Sequence, residues 1–205
     1  MYGSFDTTHK NILKSGKKLF LEKGFERTNL RELCKDAGVT TGAFYRHFKD
    51  KEALFIELVD PAIKGLEKMF NTSEEDYFNC VIESKVQTLQ EVSSITTEAF
   101  IEYLYANKVA FKLLLHASDG TRYTNFMDMM VEWELRETFK MYEIMDENGI
   151  KYNKLTEKEL HMLYHAYFSC LFESIFHDYE KKEALQYSKT LSDFFMAGWR
   201  KVHCL

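Results

Sequence analysis

The stretch from Thr28 to Glu52 constrains the fold of this chain more than any other part of the sequence. Apolar residues recur there at the spacing of one buried helix face: Leu30, Leu33, Cys34 and Ala37. Asn29 is a suitable N-cap with Glu32 three residues later, and Gly38 can adopt the left-handed conformation that often ends a helix. The pattern predicts a short amphipathic helix that is followed by a tight turn.

A second helix is predicted over residues 41–48, with Thr40 as its N-cap. Phe44 and Phe48 are one turn apart and face inward. The other side carries small residues first and then a phenol, a guanidinium and an imidazole: Thr41, Gly42, Ala43, Tyr45, Arg46 and His47. A helix-turn-helix uses such a second helix to enter the major groove of DNA. The alternative is a helical hairpin of an all-α core whose outer face is only solvated.

The two helices also carry a motif that extends beyond them. It comprises Ala37-Gly38-Val39-Thr40, Gly42, Phe44-Tyr45, His47-Phe48, Lys51-Glu52 and Leu54, with Gly24-Phe25 and Thr28 upstream. This motif resembles that of the TetR family of bacterial transcriptional regulators, and the segment 110–126 is similar to one found in some members. The resemblance implies an all-α fold with a three-helix DNA-binding domain over residues 1–52. A helical domain for ligand binding and dimerisation would follow over residues 53–205, and a fourth helix from about residue 50 would link the two.

Ten residues are the predicted DNA contacts: Thr28, Arg31, Thr40, Thr41, Gly42, Ala43, Tyr45, Arg46, His47 and Lys51. Residues 41–43 are expected nearest the bases. Tyr45, His47, Thr28 and Lys51 are expected to hold phosphates, and Arg46 to do either. For Arg31, capping and solvation remain an open alternative. The two DNA-binding domains of a dimer would bind a near-palindromic operator. Its half-site centres would be about 34–36 Å apart, or a multiple of that spacing.

Charge is distributed unevenly along the chain. Residues 1–52 hold 11 Lys and Arg against 7 Asp and Glu, a net charge of +4, whereas the other 153 residues hold 16 against 25, a net charge of −9. A basic N-terminal part suits contact with a polyanion. The polar start lacks a signal-peptide core and no apolar run reaches the roughly 18 residues of a membrane span, so we expect a cytoplasmic protein without membrane contact.

Catalytic motifs are missing from the sequence. It contains no P-loop, no dinucleotide-binding glycine motif and no nucleophile elbow, so we predict that the protein is not an enzyme and needs no cofactor. The four cysteines form no C-x-x-C pair and are expected to be reduced. His161 and His165 have a spacing that can chelate a metal, but no third ligand is suggested, so no metal site is predicted. A helical protein-interaction module and a metal- or thiol-responsive regulator remain the alternatives.

Helix 4 should continue through Pro61, the only proline in the chain, and kink near residues 57–61. We hypothesise that this proline sets the angle at which the helix leaves the head. A turn is predicted at residues 71–75. Ser73 and Asp76 resemble a capping box there, so a fifth helix is expected to run to about residue 92.

The helices predicted over residues 156–179 and 183–202 indicate a dimer. The first of these is apolar on nearly all sides, and such a helix must be covered on both faces. One chain offers too few partners for this, so the pair is expected to pack against its symmetry mate as a four-helix interface. The family resemblance also implies this homodimer.

A small-molecule pocket is expected in the C-terminal domain, lined by aromatic and apolar side chains and by one histidine. The candidates are Phe100, Tyr103, Leu104, Phe111, His116, Phe126, Trp133, Tyr164, Tyr167, Phe168 and Phe172. Such a set is typical of ligand sites, but it is also typical of a plain aromatic core, and both interpretations stay open here. The resemblance implies a repressor that a small-molecule inducer releases from DNA.

Overall fold

The computed structural model describes the backbone of residues 2–82 and 97–204 and the side chains of residues 5–70 and 97–204. Its helices, numbered in chain order, are α1 Tyr2–Lys23, α2 Leu30–Asp36, α3 Thr41–Phe44, α4 Lys51–Ile82, α5 over residues 97–106, α6 Lys108–His116, α7 Phe126–Glu147, α8 Glu157–Phe176 and α9 Lys181–His203. This described part contains no β-strand, which confirms the all-α prediction. None of its helices combines the length and the apolar composition that crossing a membrane requires.

Contacts between residues divide the chain into two compact units. The head unit comprises Met1–Gly65 and Asn107–Phe126, and the body unit comprises Leu66–Ala106 and Met127–Leu205. By packing, therefore, the segment around α6 belongs with the N-terminal helices. The boundary predicted at residue 52 concerns function and stays a prediction.

The head unit is built on an aromatic core, because the apolar positions of α1, α2, α3 and α4 converge. Among its fully buried side chains on these helices are Ile12, Phe20, Leu33, Phe44, Leu54 and Phe55. A Cβ atom at Gly16 would lie only 2.7 Å from Leu54 Cδ2. The absence of a side chain at Gly16 thus allows α1 and α4 to pack closely.

The turn predicted at residues 71–75 is wrong, because α4 continues as one helix from Lys51 to Ile82. No glycine or proline interrupts these residues, and their helix propensities are only moderately below that of alanine. The remainder of the fifth predicted helix, residues 83–92, lies outside the described residues. Pro61 lies inside α4, and the kink that we expect there stays a prediction.

In the body unit, α8 and α9 correspond closely to the two helices expected near residues 156–179 and 183–202. Helix α8 begins with a capping box. The Thr156 side chain accepts from the N–H of Glu159, and Glu159 Oε2 accepts from the N–H of Thr156 at 2.8 Å. These local bonds fix where the helix starts.

Candidate nucleic-acid interface

The recognition segment, residues 40–48, begins with a side-chain cap. Thr40 Oγ1 accepts a hydrogen bond of 3.1 Å from the N–H of Ala43. Helix α3 ends at Phe44, before the predicted end at residue 48. Backbone bonds from Arg46 to Ala43 and from His47 and Phe48 to Phe44 continue the segment as turns. Phe44 and Phe48 are buried with ring centroids 5.6 Å apart, as their spacing predicted. The inner side of the segment is thereby anchored in the head core.

Helix α2 leads into this segment through a tight turn. Asn29 caps it by accepting a 2.8 Å bond from the N–H of Arg31. The predicted return bond from Glu32 is replaced by an ion pair with Lys23. Gly38 ends the helix at φ +68°, a conformation that glycine adopts at little cost.

The outer side of the recognition segment is exposed. Thr40, Thr41, Gly42, Tyr45 and Arg46 face solvent, Ala43 is half-buried, and Arg31 on α2 is exposed. A Cβ atom at Gly42 would meet nothing closer than Thr40 Oγ1, at 3.9 Å. This surface of small residues next to a phenol and a guanidinium can approach a partner closely and then bond it.

Thr28 does not lie on that surface. Its side chain is buried, and its hydroxyl donates to the carbonyls of Leu19 at 3.2 Å and Gly24 at 2.7 Å. In this structure Thr28 closes the C-terminal end of α1, because a short hydroxyl readily satisfies free backbone carbonyls nearby. A phosphate contact would require the hydroxyl to leave these carbonyls, and it stays a prediction.

Lys51 also bonds backbone carbonyls, and its phosphate contact likewise stays a prediction. Its ammonium donates to the carbonyls of Phe25 at 2.6 Å and Thr28 at 2.9 Å, and it lies 4.2 Å from the centroid of the Phe25 ring. Burial lowers the pKa of this lysine. These bonds hold the loop between α1 and α2. Lys51 therefore stabilises the part of the head unit that carries the recognition segment.

His47 lies at the edge of the recognition segment, half-buried beside aromatic rings of α1. Its ring centroid is 3.9 Å from that of Phe5 and 5.4 Å from that of His9. Burial, followed by the nearby His9, lowers the pKa of His47. Neither Phe5 nor His9 was singled out from the sequence.

A polar clamp joins the loop after α6 to the remainder of the head unit. The N–H of Arg122 donates to Glu52 at 2.8 Å, and its guanidinium donates to Asp60 at 2.9 Å. The Tyr123 hydroxyl donates to the same Asp60 carboxylate. Burial opposes ionisation of Asp60, but the bonds from Tyr123 and Lys64 and the charge of Arg122 lower its pKa overall. No sequence spacing pointed to this long-range cluster.

The predicted pocket residues are distributed over both units. Phe111, His116 and Phe126 belong to the head unit, where the rings of Phe111 and Phe126 are 6.2 Å apart and His116 is exposed. The other eight belong to the body unit: Phe100, Tyr103, Leu104, Trp133, Tyr164, Tyr167, Phe168 and Phe172. The pocket as one site stays a prediction.

Within the body unit, Phe70 connects several of these rings. Its centroid lies 6.5 Å from Phe100, 5.9 Å from Trp133 and 6.1 Å from Phe168. Two phenols of α8 bond threonine hydroxyls. Tyr167 lies 3.3 Å from Thr97 Oγ1, with its pKa raised to about 12 by burial, and Tyr164 bonds the Thr138 hydroxyl.

His161 and His165 lie on the exposed side of α8 with ring centroids 6.4 Å apart. Among the described residues, no group of three or more potential metal ligands comes together.

Comparisons with known proteins agree with this arrangement. Residues 12–58 match the family described as bacterial regulatory proteins, tetR family. An uncharacterized HTH-type transcriptional regulator of Haemophilus influenzae is 31% identical over 103 residues, which are 50% of this chain and 46% of that protein. The chain spans less than half the length of the curated relatives it matches.

Two solved structures share the fold. PfmR, a TetR family transcriptional regulator of Thermus thermophilus, is 20% identical with a TM-score of 0.56, over 91% of this chain and 97% of that one. NalD, the secondary repressor of the MexAB-OprM multidrug efflux pump of Pseudomonas aeruginosa, is 20% identical with a TM-score of 0.52, over 97% and 98%.

The fold and the recognition segment thus define an all-α protein of the helix-turn-helix class. Residues 12–58 resemble the tetR family of bacterial regulatory proteins, and the two solved structures extend the shared fold to 91% of the chain or more.

Proposed function

We propose that this protein is a homodimeric repressor that binds a near-palindromic operator and leaves it when a small molecule binds the body. The observation that carries the proposal is the recognition segment itself. Its apolar side is buried in the head core, while Thr41, Gly42, Tyr45 and Arg46 remain exposed. A rigid support with a free polar face is what base and phosphate contacts require.

Eight of the ten predicted contacts are proposed to bind DNA directly: Arg31, Thr40, Thr41, Gly42, Ala43, Tyr45, Arg46 and His47. Residues 41–43 face the base edges because small side chains permit close approach. Tyr45 and Arg46 bond the phosphates on either side. The test is a selection from random duplex DNA, which should return two inverted half-sites whose centres are about one helical turn, roughly 34–36 Å, apart, or a multiple of that spacing. Recovery of single half-sites or of no motif would contradict the proposal.

The homodimer is proposed to form through α8 and α9. Large apolar side chains remain exposed on these two helices in the single chain: Met162, Phe176, Tyr187 and Phe194. Two helices that each expose large apolar side chains are suited to an interface with a second copy. A two-fold arrangement would bury the same face on both copies and fix the distance between the two recognition segments.

The inducer is proposed to be an apolar or aromatic small molecule that contacts the rings around Phe70 and Trp133. The fold neighbour NalD represses a multidrug efflux pump, which is compatible with a ligand of this chemistry. A screen of aromatic compounds should quench Trp133 fluorescence in a Trp199→Phe variant, and the same compounds should release the selected duplex. Compounds that quench Trp133 fluorescence without releasing the duplex would show that ligands bound there do not act as inducers.

A further inference from the structure

The N-terminal turns of α1 pack against the last residues of the recognition segment. The Phe5 and His47 rings are 3.9 Å apart between centroids, with an interplanar angle of 31°. His9 stacks on Phe48 at 4.9 Å and bonds Glu57 at 2.6 Å. His47 therefore lies between two side chains of α1, close to the exposed Tyr45 and Arg46.

Phe5 is 52% exposed although it is a large aromatic side chain. Burial of apolar surface in the core thus explains little of its presence. The contact it makes is with the imidazole of a proposed DNA-binding residue. That contact gives the ring a role in holding His47, beyond a small contribution to stability.

The two ring nitrogens of His47 have different surroundings. Nδ1 is buried and has no hydrogen-bond partner. An N–H without an acceptor is costly in such a place, so the proton belongs on Nε2. Burial and then His9 lower the pKa of His47 below its ordinary value of 6.5, so the imidazole is neutral near pH 7. His47 accordingly offers one fixed N–H donor.

We propose that Phe5 is a positioning residue for DNA binding, whose ring holds the His47 imidazole so that Nε2–H donates to a backbone phosphate. This inference rests on the proposed function of the recognition segment. It extends the DNA-binding apparatus to the first turns of α1. It also assigns His47 the role of a neutral donor, in contrast to the cationic Arg46.

The test measures the affinity of variants for the duplex selected by the wild-type protein. Phe5→Ala should weaken binding about tenfold, the size expected when a hydrogen bond to a charged group is lost. Phe5→Tyr, which keeps the ring, should restore binding. Leu21→Ala is the matched control, because Leu21 is also an exposed apolar residue on α1, and it should leave affinity unchanged.

A double-mutant cycle separates positioning from general stability. In a His47→Ala background, Phe5→Ala should cause no further loss, because its effect passes through the imidazole. Neutral donors release no counterions, so both variants should keep the wild-type slope of log Kd against log salt. An additive loss, or a slope lowered by about one for each head, would overturn the proposal.

Proton NMR of the DNA-free protein supplies a signature that a merely structural role does not predict. The ring current of Phe5 should shift the His47 imidazole protons, and Phe5→Ala should remove that shift while the melting temperature holds. Should Phe5→Ala unfold the head, Phe5→Leu carries the same test. Normal operator affinity of either folded variant would overturn the inference alone, whereas a wild-type protein that binds no duplex would overturn the proposed function with it.

Discussion

The backbone N–H of Phe25 donates a 3.0 Å hydrogen bond to the carbonyl of Ala117. This bond joins the loop between α1 and α2 to the end of α6, 92 residues later in the chain. Gly120 lies close by, where a Cβ atom would come within 2.7 Å of Glu26 Cγ. The loop that supports the recognition helices is thus held in part by a segment from the middle of the chain.

The polar clamp around Asp60 should stabilise the head unit. Asp60→Ala leaves the buried hydroxyl of Tyr123 without its acceptor and removes the ion pair of Arg122, so the free energy of unfolding should fall by about 1–3 kcal/mol. Urea unfolding measures the change. Glu67→Ala, at an exposed position of the same helix, serves as control, and equal effects of the two substitutions would argue against the clamp.

Tyr45 and Thr41 should contribute differently to DNA binding. Tyr45→Ala removes a proposed phosphate contact and should weaken binding to all duplexes by a similar factor, about fivefold to tenfold. Thr41→Ala should instead change which base is preferred at one position of each half-site. Affinities for a panel of single-base variants of the selected duplex distinguish the two patterns. If Thr41→Ala weakened binding to all duplexes equally, Thr41 would not be a base contact.

Phe194 should be central to the dimer, since 70% of its side chain is exposed in the single chain. Phe194→Asp places a charge in the proposed interface and should weaken dimerisation about 100-fold or more, as for an aromatic hot spot. Light scattering after size exclusion measures the mass. Lys189→Asp changes an exposed residue of the same helix on another side, and it should remain dimeric. A dimeric Phe194→Asp protein would place the interface elsewhere.

His203 should make the stability of the body unit depend on pH. It is buried, its Nδ1 lies 3.1 Å from the carbonyl of Asn153, and burial lowers its pKa despite that bond. The unfolded chain therefore takes up a proton near pH 6.5, before the folded protein does. Below that pH, the unfolding free energy should fall by up to about 1.4 kcal/mol per pH unit.

The direction of this pH dependence is checked by measuring the unfolding free energy at pH 7.5 and 5.5. The proteins compared are wild type, His203→Gln and the exposed control His161→Gln. The loss on acidification should be smaller in His203→Gln alone. An equal loss in all three proteins would show that His203 does not carry the effect.

Local patterns in the sequence were sufficient for the recognition segment. The Thr40 cap, the turn at Gly38 and the buried pair Phe44 and Phe48 depend on neighbours within one or two helical turns, and the structure has all of them. The predicted starts of the last two helices, residues 156 and 183, lie within one turn of the observed N-caps Thr156 and Glu180 for the same reason. Periodicity and capping residues act over short distances, so a single sequence reveals them.

Long-range contacts explain what the sequence did not reveal. Thr28 and Lys51 have the residue types of phosphate ligands, yet carbonyls exposed by the end of α1 and the following loop engage both side chains. Phe5 and His47 are 42 positions apart, and Asp60 and Arg122 are 62 apart. Such pairs follow from how the helices pack, which spacing along one chain does not specify.

The salt dependence of binding to the selected duplex tests the central claim most directly. Titration of labelled DNA from 50 to 200 mM salt should weaken binding by at least about 100-fold, because several phosphates are contacted by each dimer. An Arg46→Ala variant should bind more weakly and with a shallower slope. Binding that is absent at 50 mM salt, or that is the same at both salt concentrations, would contradict the account and favour a helical protein-interaction module.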